Sequence, residues 1–289
     1  MSETKKDEND FGSQAEELNP SWSEEIHLKG ADTGHAVVSQ LVENLTETVD
    51  GSQQYNMRHE KRGKAIIFNN YEFHNLNLHT RKGTEKDVQR LKDVFKMHSF
   101  EVVVHDDALV GDIFYVIEKA IANADHSNSD CVAVVILTHS DKEGLLYARD
   151  TTYKLRSLVE MITADKCLSL AGKPKLFFIQ ASRGEKADPD MIVVPRNPNV
   201  KIPSYADFLI AESTTPAYIP MKYEKEGSLF IRAINDVLLK EKSYTKSFLT
   251  LMTEVIARVA FDNQNDAGDL KQVPSITTTL TKKLMLVKK

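Results

Sequence analysis

The sequence predicts an α/β fold, a mostly parallel sheet with helices on both faces. Three observations carry this expectation. From Gly63 onward, short continuous apolar runs alternate with segments of helical period. The runs lack the in-out alternation of half-exposed strands, as expected where both faces are buried. The stretches between them are long enough for the crossovers that parallel strands require.

The elements follow in order. "KAIIFNN" is a buried-type strand ended by Asn69 and Asn70. In "GTEKDVQRLKDVFKMHSF", Val88, Leu91, Val94 and Phe95 recur at helical spacing behind Thr84, the expected cap. "EVVVH" is a strand, "ALVGDIFYVIEKAIANAD" a helix, "CVAVVILTH" a long buried strand, "TTYKLRSLVEMI" a helix and "KLFFIQ" a buried strand. "ADFLIAES" is a further strand, "GSLFIRAINDVLLK" and "SFLTLMTEVIARVAF" are amphipathic helices, and "PSITTTLTKKLMLV" closes the chain as strand. Active residues in such sheets gather at the carboxyl ends of the strands.

The composition is that of a globular chain of 289 residues, 41% hydrophobic and 27% charged. Residues 1–57 stand apart: 12 Asp/Glu against 3 Lys and few large apolar residues predict an acidic, mostly disordered tail. Residues 185–200, with Pro189, Pro195 and Pro198 and no period, read as a linker. The mildly basic body gives no sign of nucleic-acid binding. No apolar stretch has the length of a membrane span or a signal-peptide core, so a cytoplasmic protein without membrane contact is expected. Two cysteines, Cys131 and Cys167, provide neither a disulfide framework nor a zinc site, and no metal or other cofactor is expected.

Two strand ends carry candidate chemistry. "VVILTHS" delivers His139, and "LFFIQAS" delivers Gln180 and Ser182. If these strands are parallel neighbours, both side chains reach one edge, the arrangement of a nucleophile and its base.

"QASRG" resembles the active-site signature of the caspases, with serine where that signature has cysteine. "RGKAIIFNN", "TRKGTEKDVQRL", "LAGKPKLFFIQ", "IPSYADFLIAEST" and "KQVPSITTTLTKKL" resemble caspase segments in the same order, so the likeness covers about residues 55–289. It implies a single caspase-like domain with a central six-stranded sheet. Residues 58–184 match the large-subunit half and residues 201–289 the small-subunit half. The resemblance further implies that His139 is the base, Ser182 the nucleophile position and Ser140 the oxyanion neighbour. Arg81, Gln180 and Lys222 would be what remains of the pocket for a substrate aspartate. Outside the motif, Arg81 and Lys222 would read as solvated charges.

The departures from the family pattern decide the expected activity. A cysteine, with a pKa of about 8.5, is readily converted to thiolate beside a histidine, whereas a serine hydroxyl needs an oriented triad. No acidic partner for His139 is evident in the sequence. Ser140 replaces a glycine and gains a Cβ. Lys222 replaces an arginine, turning a bidentate fork into a point charge. Pro220 and Met221 stand where the family has serine and tryptophan, and a proline there cannot donate a strand hydrogen bond. Cys131, at the far end of its strand, cannot substitute for the missing thiol.

The expectation is therefore a catalytically inactive caspase homologue that regulates an active caspase by heterodimerisation, with either sign compatible. The alternatives are a decoy for caspase inhibitor proteins or substrates, and a weak or Cys-to-Ser-exchanged aspartate-specific endopeptidase. Several departures beyond Ser182 weigh against a single exchange. Two further expectations follow from the resemblance. Glu47-Thr48-Val49-Asp50 before Gly51 resembles a caspase cleavage site, so Asp50 is the expected processing point. Ser275, Ile276, Thr277, Thr278 and Thr279 form the expected dimer strand, giving at most a weak homodimer.

Overall fold

The computed structural model describes residues 53–75, 77–141, 143–183, 204–213, 222–223, 226–261 and 272–289. Asp50, Pro220, Met221, the linker 185–200 and all but the end of the expected tail lie outside the described residues. The elements are β1 (Lys64–Asn69), α1 (Thr84–Met97), β2 (Glu101–Asp106), α2 (Val110–Ile117), β3 (Val132–Ser140), β4 (Leu146–Tyr147) and β5 (Thr152–Tyr153). They continue as α3 (Leu155–Met161), β6 (Lys175–Arg183), β7 (Phe208–Glu212), β8 (Lys222–Tyr223), β9 (Gly227–Ser228), α4 (Leu229–Leu238), α5 (Phe248–Phe261) and β10 (Ser275–Thr278).

The main sheet runs β10-β7-β6-β3-β1-β2, with β4 and β5 attached beside the end of β3 and β8–β9 forming a separate hairpin. Neighbours are parallel throughout the main order except β10 with β7. The continuous apolar runs are explained by two cores. Successive residues of a strand point to opposite faces. Ile67, Val135, Phe178 and Leu209 therefore meet α1, α4 and α5 through Leu91, Val94, Ile234, Phe248 and Val255. Ile66, Val134, Phe177 and Ile210 meet α2 and α3 on the other face through Ile113, Ile117, Leu158 and Val159.

Several local readings differ from the expectation. The cap of α1 is Gly83, in the left-handed region at φ 80, and Thr84 is the first helical residue. Its hydroxyl is committed elsewhere, donating to Asn69 Oδ1 at 2.6 Å. The helix expected from Ala108 is regular only to Ile117 and ends in a π-turn, Glu118–Ala122. Thr152 and Tyr153 belong to a strand, not to the helix after them. The last strand is also shorter than the sequence suggested. At its end Thr278 Oγ1 accepts from the N–H of Leu280 at 3.1 Å, diverting a group that a longer ladder would use. At the chain's other end, Tyr55 and Met57 are buried in the core, so these two residues pack with the body and not with the tail.

Candidate active site

The site is fixed first by strand register. β3 and β6 are adjacent and parallel, with His139 opposite Ser182, Leu137 opposite Gln180 and Ser140 opposite Arg183. The apolar residues that precede them are buried on both faces, so the polar residues emerge together at the carboxyl edge.

His139 is half-buried, and its Nε2 lies 2.9 Å from the backbone carbonyl oxygen of His79. A carbonyl only accepts, so Nε2 carries the proton and the lone pair of the neutral ring is on Nδ1. The partner that sequence reading sought among acidic side chains is a main-chain group, which leaves no mark in residue identity. The Phe73 ring packs 5.0 Å from the imidazole and meets Tyr147 edge-on at 6.4 Å. Thr138, next to His139, donates from Oγ1 to the Tyr147 carbonyl at 2.5 Å. Ser140 lies inside β3, paired also with Leu146 of β4, and is not among the residues with positive φ. Its Cβ therefore costs no left-handed backbone strain.

Arg81 is 2% exposed and is not a solvated charge. Its Nη1 donates to the Asn70 carbonyl at 3.2 Å and to Thr84 Oγ1 at 2.9 Å. Burial lowers its pKa to about 10, opposed by the nearby charge of Asp87, so it stays cationic at neutral pH. Asn70 N in turn donates to the Leu137 carbonyl at 3.0 Å, which ties the Arg81 segment to the strand that carries His139. Gln180, also buried, has no hydrogen-bond partner for Oε1 among the described residues. Lys222 lies in β8, opposite Ser228 of β9. The Ser228 N–H donates to Asp87 Oδ1 at 2.8 Å, which connects that hairpin to the start of α1. Asp87 was not singled out in sequence; an acidic residue in the first turn of a helix has an ordinary explanation in the helix dipole.

Ser275, Ile276, Thr277 and Thr278 form β10, which pairs with β7 on one side and is the last strand in the sheet order. Thr279 lies just beyond it, and its hydroxyl donates to the Tyr205 carbonyl at 2.6 Å. Cys131 and Cys167 are buried thiols, and burial pushes Cys131 up to about 12, which makes it unreactive as a nucleophile. Among the described residues no group of three or more His, Cys, Asp or Glu is arranged to hold a metal ion, and no helix is long and apolar enough to cross a membrane.

Comparison with known proteins agrees with this geometry. The family profile of the caspase domain matches residues 62–285. Caspase drICE of Drosophila melanogaster is 41% identical over 243 residues, which are 79% of this chain and 71% of that protein. Caspase-1 of Spodoptera frugiperda is 41% identical over 247 residues, 81% of this chain and 82% of that protein. The crystal structure of the latter superposes with a TM-score of 0.74 at 41% identity, covering 83% of this chain and 95% of the other.

Proposed function

This chain belongs to the caspase family, and from that membership we propose that it is a catalytically inactive caspase homologue that regulates an active caspase by forming a heterodimer with it. The observation that carries the reading is residue 182. Serine stands opposite His139 at the family's nucleophile position, where a thiol would be needed to give a stable anion at neutral pH. The environment of the base strengthens the argument. A serine nucleophile depends on a base whose protonated form is stabilised, usually by a carboxylate. At Nε2, His139 has the neutral carbonyl of His79, which stabilises an imidazolium less than a carboxylate at that position would.

The partner surface in this reading is the edge of β10 that pairs with no strand among the described residues. Ordering the partner's active-site loops would activate it, and occupying the interface without ordering them would inhibit it. Titration of the purified chain into active caspases from the same source, with an acidic tetrapeptide as substrate, decides both existence and sign. The rate should change in proportion to added chain and level off near one equivalent. An unchanged rate at a large excess rejects the proposal. In the cell, cleavage at Asp50 would remove the acidic tail and leave the domain in one piece.

A second reading is favoured by one observation, the state of Arg81. Arg81 is buried and held by two hydrogen bonds, and Gln180 Oε1 is buried without a hydrogen-bond partner among the described residues, which supports a pocket that still receives a ligand. A decoy that binds caspase inhibitor proteins or substrates would use it. Affinity for an aspartyl peptide aldehyde supports this reading, and its absence leaves the dimer interface as the working surface.

A further inference from the structure

The two cations assigned to the pocket come from distant parts of the chain, and one face of α1 joins them. Asp87 and Arg90, one turn apart, both reach the β9 side of the β8–β9 hairpin, at Ser228 and Glu226. Asp87 Oδ1 accepts from the Ser228 N–H at 2.8 Å, with both residues fully buried. Arg90 Nη1 donates to the Glu226 carbonyl, and its guanidinium lies 3.8 Å from the Glu226 carboxylate. Between these contacts Gly227 has φ 76, and a Cβ there would lie 2.4 Å from Asp87 Oδ1. Glycine is required here both by the backbone and by the closeness of the carboxylate. A buried carboxylate needs charge compensation and hydrogen bonds. Asp87 has the neighbouring charge of Arg81, and its Oδ1 has the Ser228 N–H.

We infer that Asp87 is a positioning residue for the pocket, fastening the hairpin that carries Lys222 to the wall that carries Arg81, with Arg90 as a second point of attachment. The inference rests on the reading of Arg81 and Lys222 as pocket cations. Lys222 pairs with Ser228 directly across the hairpin, so the bond from Asp87 fixes the backbone opposite the lysine. The wall from the small-subunit half is thereby set by the large-subunit half before any ligand arrives.

Hydrogen exchange on the full chain tests this, together with polarisation binding of a fluorescent tetrapeptide that ends in aspartate. Asp87→Ala should speed exchange of the Ser228 amide by about tenfold or more, with β3 and β6 unaffected. Asp87→Asn, whose amide oxygen still accepts, should stay within about threefold of the parent. Gly227→Ala should resemble Asp87→Ala, because it forces the carboxylate away from the other side, and it carries the test if Asp87→Ala does not fold. Peptide affinity should fall about tenfold wherever Ser228 protection is lost. Unchanged exchange in both variants overturns the fastening, and lost protection with unchanged affinity overturns its positioning role. A parent chain that binds no peptide overturns the pocket reading alone, leaving the fastening to stand or fall on exchange.

Discussion

The two ends of the parallel sheet use their polar groups in opposite ways. At the amino ends, Asp130 lies in front of β3 and is fully buried. It accepts from Arg62 Nη1 and His59 Nδ1, both at 2.9 Å, and lies 3.0 Å from Lys289 Nζ. Two strands away, before β7, Asp207 accepts from Tyr55 OH at 2.7 Å and Thr281 Oγ1 at 2.6 Å. Lys175 donates to the carbonyls of Leu170 and Lys173 at 3.0 and 2.9 Å. These bonds tie the first described residues, the last residues and both halves of the domain to the sheet. At the carboxyl ends the bonding is incomplete: Gln180 Oε1 and Asn70 Oδ1 are buried without a hydrogen-bond partner among the described residues. Buried polar groups are rarely left so without a reason. The amino end is closed by ion pairs and hydrogen bonds between distant parts of the chain, although His98 Nδ1 there is also buried without a hydrogen-bond partner among the described residues. The unpaired acceptors at the carboxyl end, by contrast, lie on and beside the strands of the candidate site.

The largest expected effect lies at the carboxyl end. The purified chain should hydrolyse acidic tetrapeptides at no more than about 10⁻⁴ of an active caspase's rate, a generous ceiling given that loss of a nucleophile alone costs about 10⁶. Ser182→Cys should restore less than about a hundredth of that active rate, because Lys222 and Ser140 remain. Both are read as initial rates on a fluorogenic substrate. Near-complete recovery from the single change would mean that the rest of the site is intact, and the family departures at positions 140 and 222 would then be neutral.

The amino end should respond in stability. Asp130→Ala leaves Arg62 buried without its partner, and removing one member of a buried ion pair costs about 3–5 kcal/mol. Urea unfolding should show this as a lower midpoint, whereas Gln180→Ala at the other end should be close to neutral. Similar losses from both variants would erase the distinction between the two ends.

That distinction was only half legible in the sequence. The strands and their order of appearance follow from continuous apolar runs, and His139, Gln180 and Ser182 could be placed because they end such runs. The supports of the site could not be placed. The His79 contact is a backbone carbonyl, and Asp87 looks like an ordinary helix-start acid until the fold brings Ser228 to it. Arg81 gave no sign of burial, because its partners, Asn70 and Thr84, are held by the chain's own turn. The end of β10 was overestimated because β-branched residues continue past Thr278, while the hydroxyl that stops the ladder is itself one of them. The network at the amino ends joins residues as far apart as Arg62 and Val287, which no local pattern reveals.

A smaller effect is set by pH. His98 and His126 are buried, and burial lowers the pKa of each below the model-peptide value of 6.5. Their Nε2 atoms lie 3.0 and 2.9 Å from the Leu238 and Ile121 carbonyls, a role the neutral ring fulfils. The unfolded chain takes up protons at these sites before the folded one does. The stability they allow is therefore complete above 6.5 and is lost as the pH falls toward their folded values. The urea midpoint should be lower at pH 5.5 than at pH 7.5, and His126→Asn should reduce the difference. A pH-independent midpoint over that range would show that neither ring resists protonation.

The smallest expected effect separates the dimer reading from the decoy reading, because the two use different borders of the sheet. A heterodimer would form along the lateral edge at β10, whereas a decoy would work through the carboxyl-end pocket. Thr277 is the position to change. It is exposed on β10, whereas the neighbouring Thr278 donates from Oγ1 to the Phe208 carbonyl at 3.2 Å and could not be altered without disturbing the fold. Thr277→Asp places a charge where a partner strand would desolvate it, which should weaken association with an active caspase by about tenfold, close to 1.4 kcal/mol. It should leave the monomer's stability and any binding of an aspartyl peptide unchanged. A weak homodimer, followed by sedimentation, should dissociate in parallel. If Thr277→Asp regulates an active caspase with undiminished potency while Arg81→Ala abolishes the effect, the working border is the carboxyl end and the chain acts as a decoy.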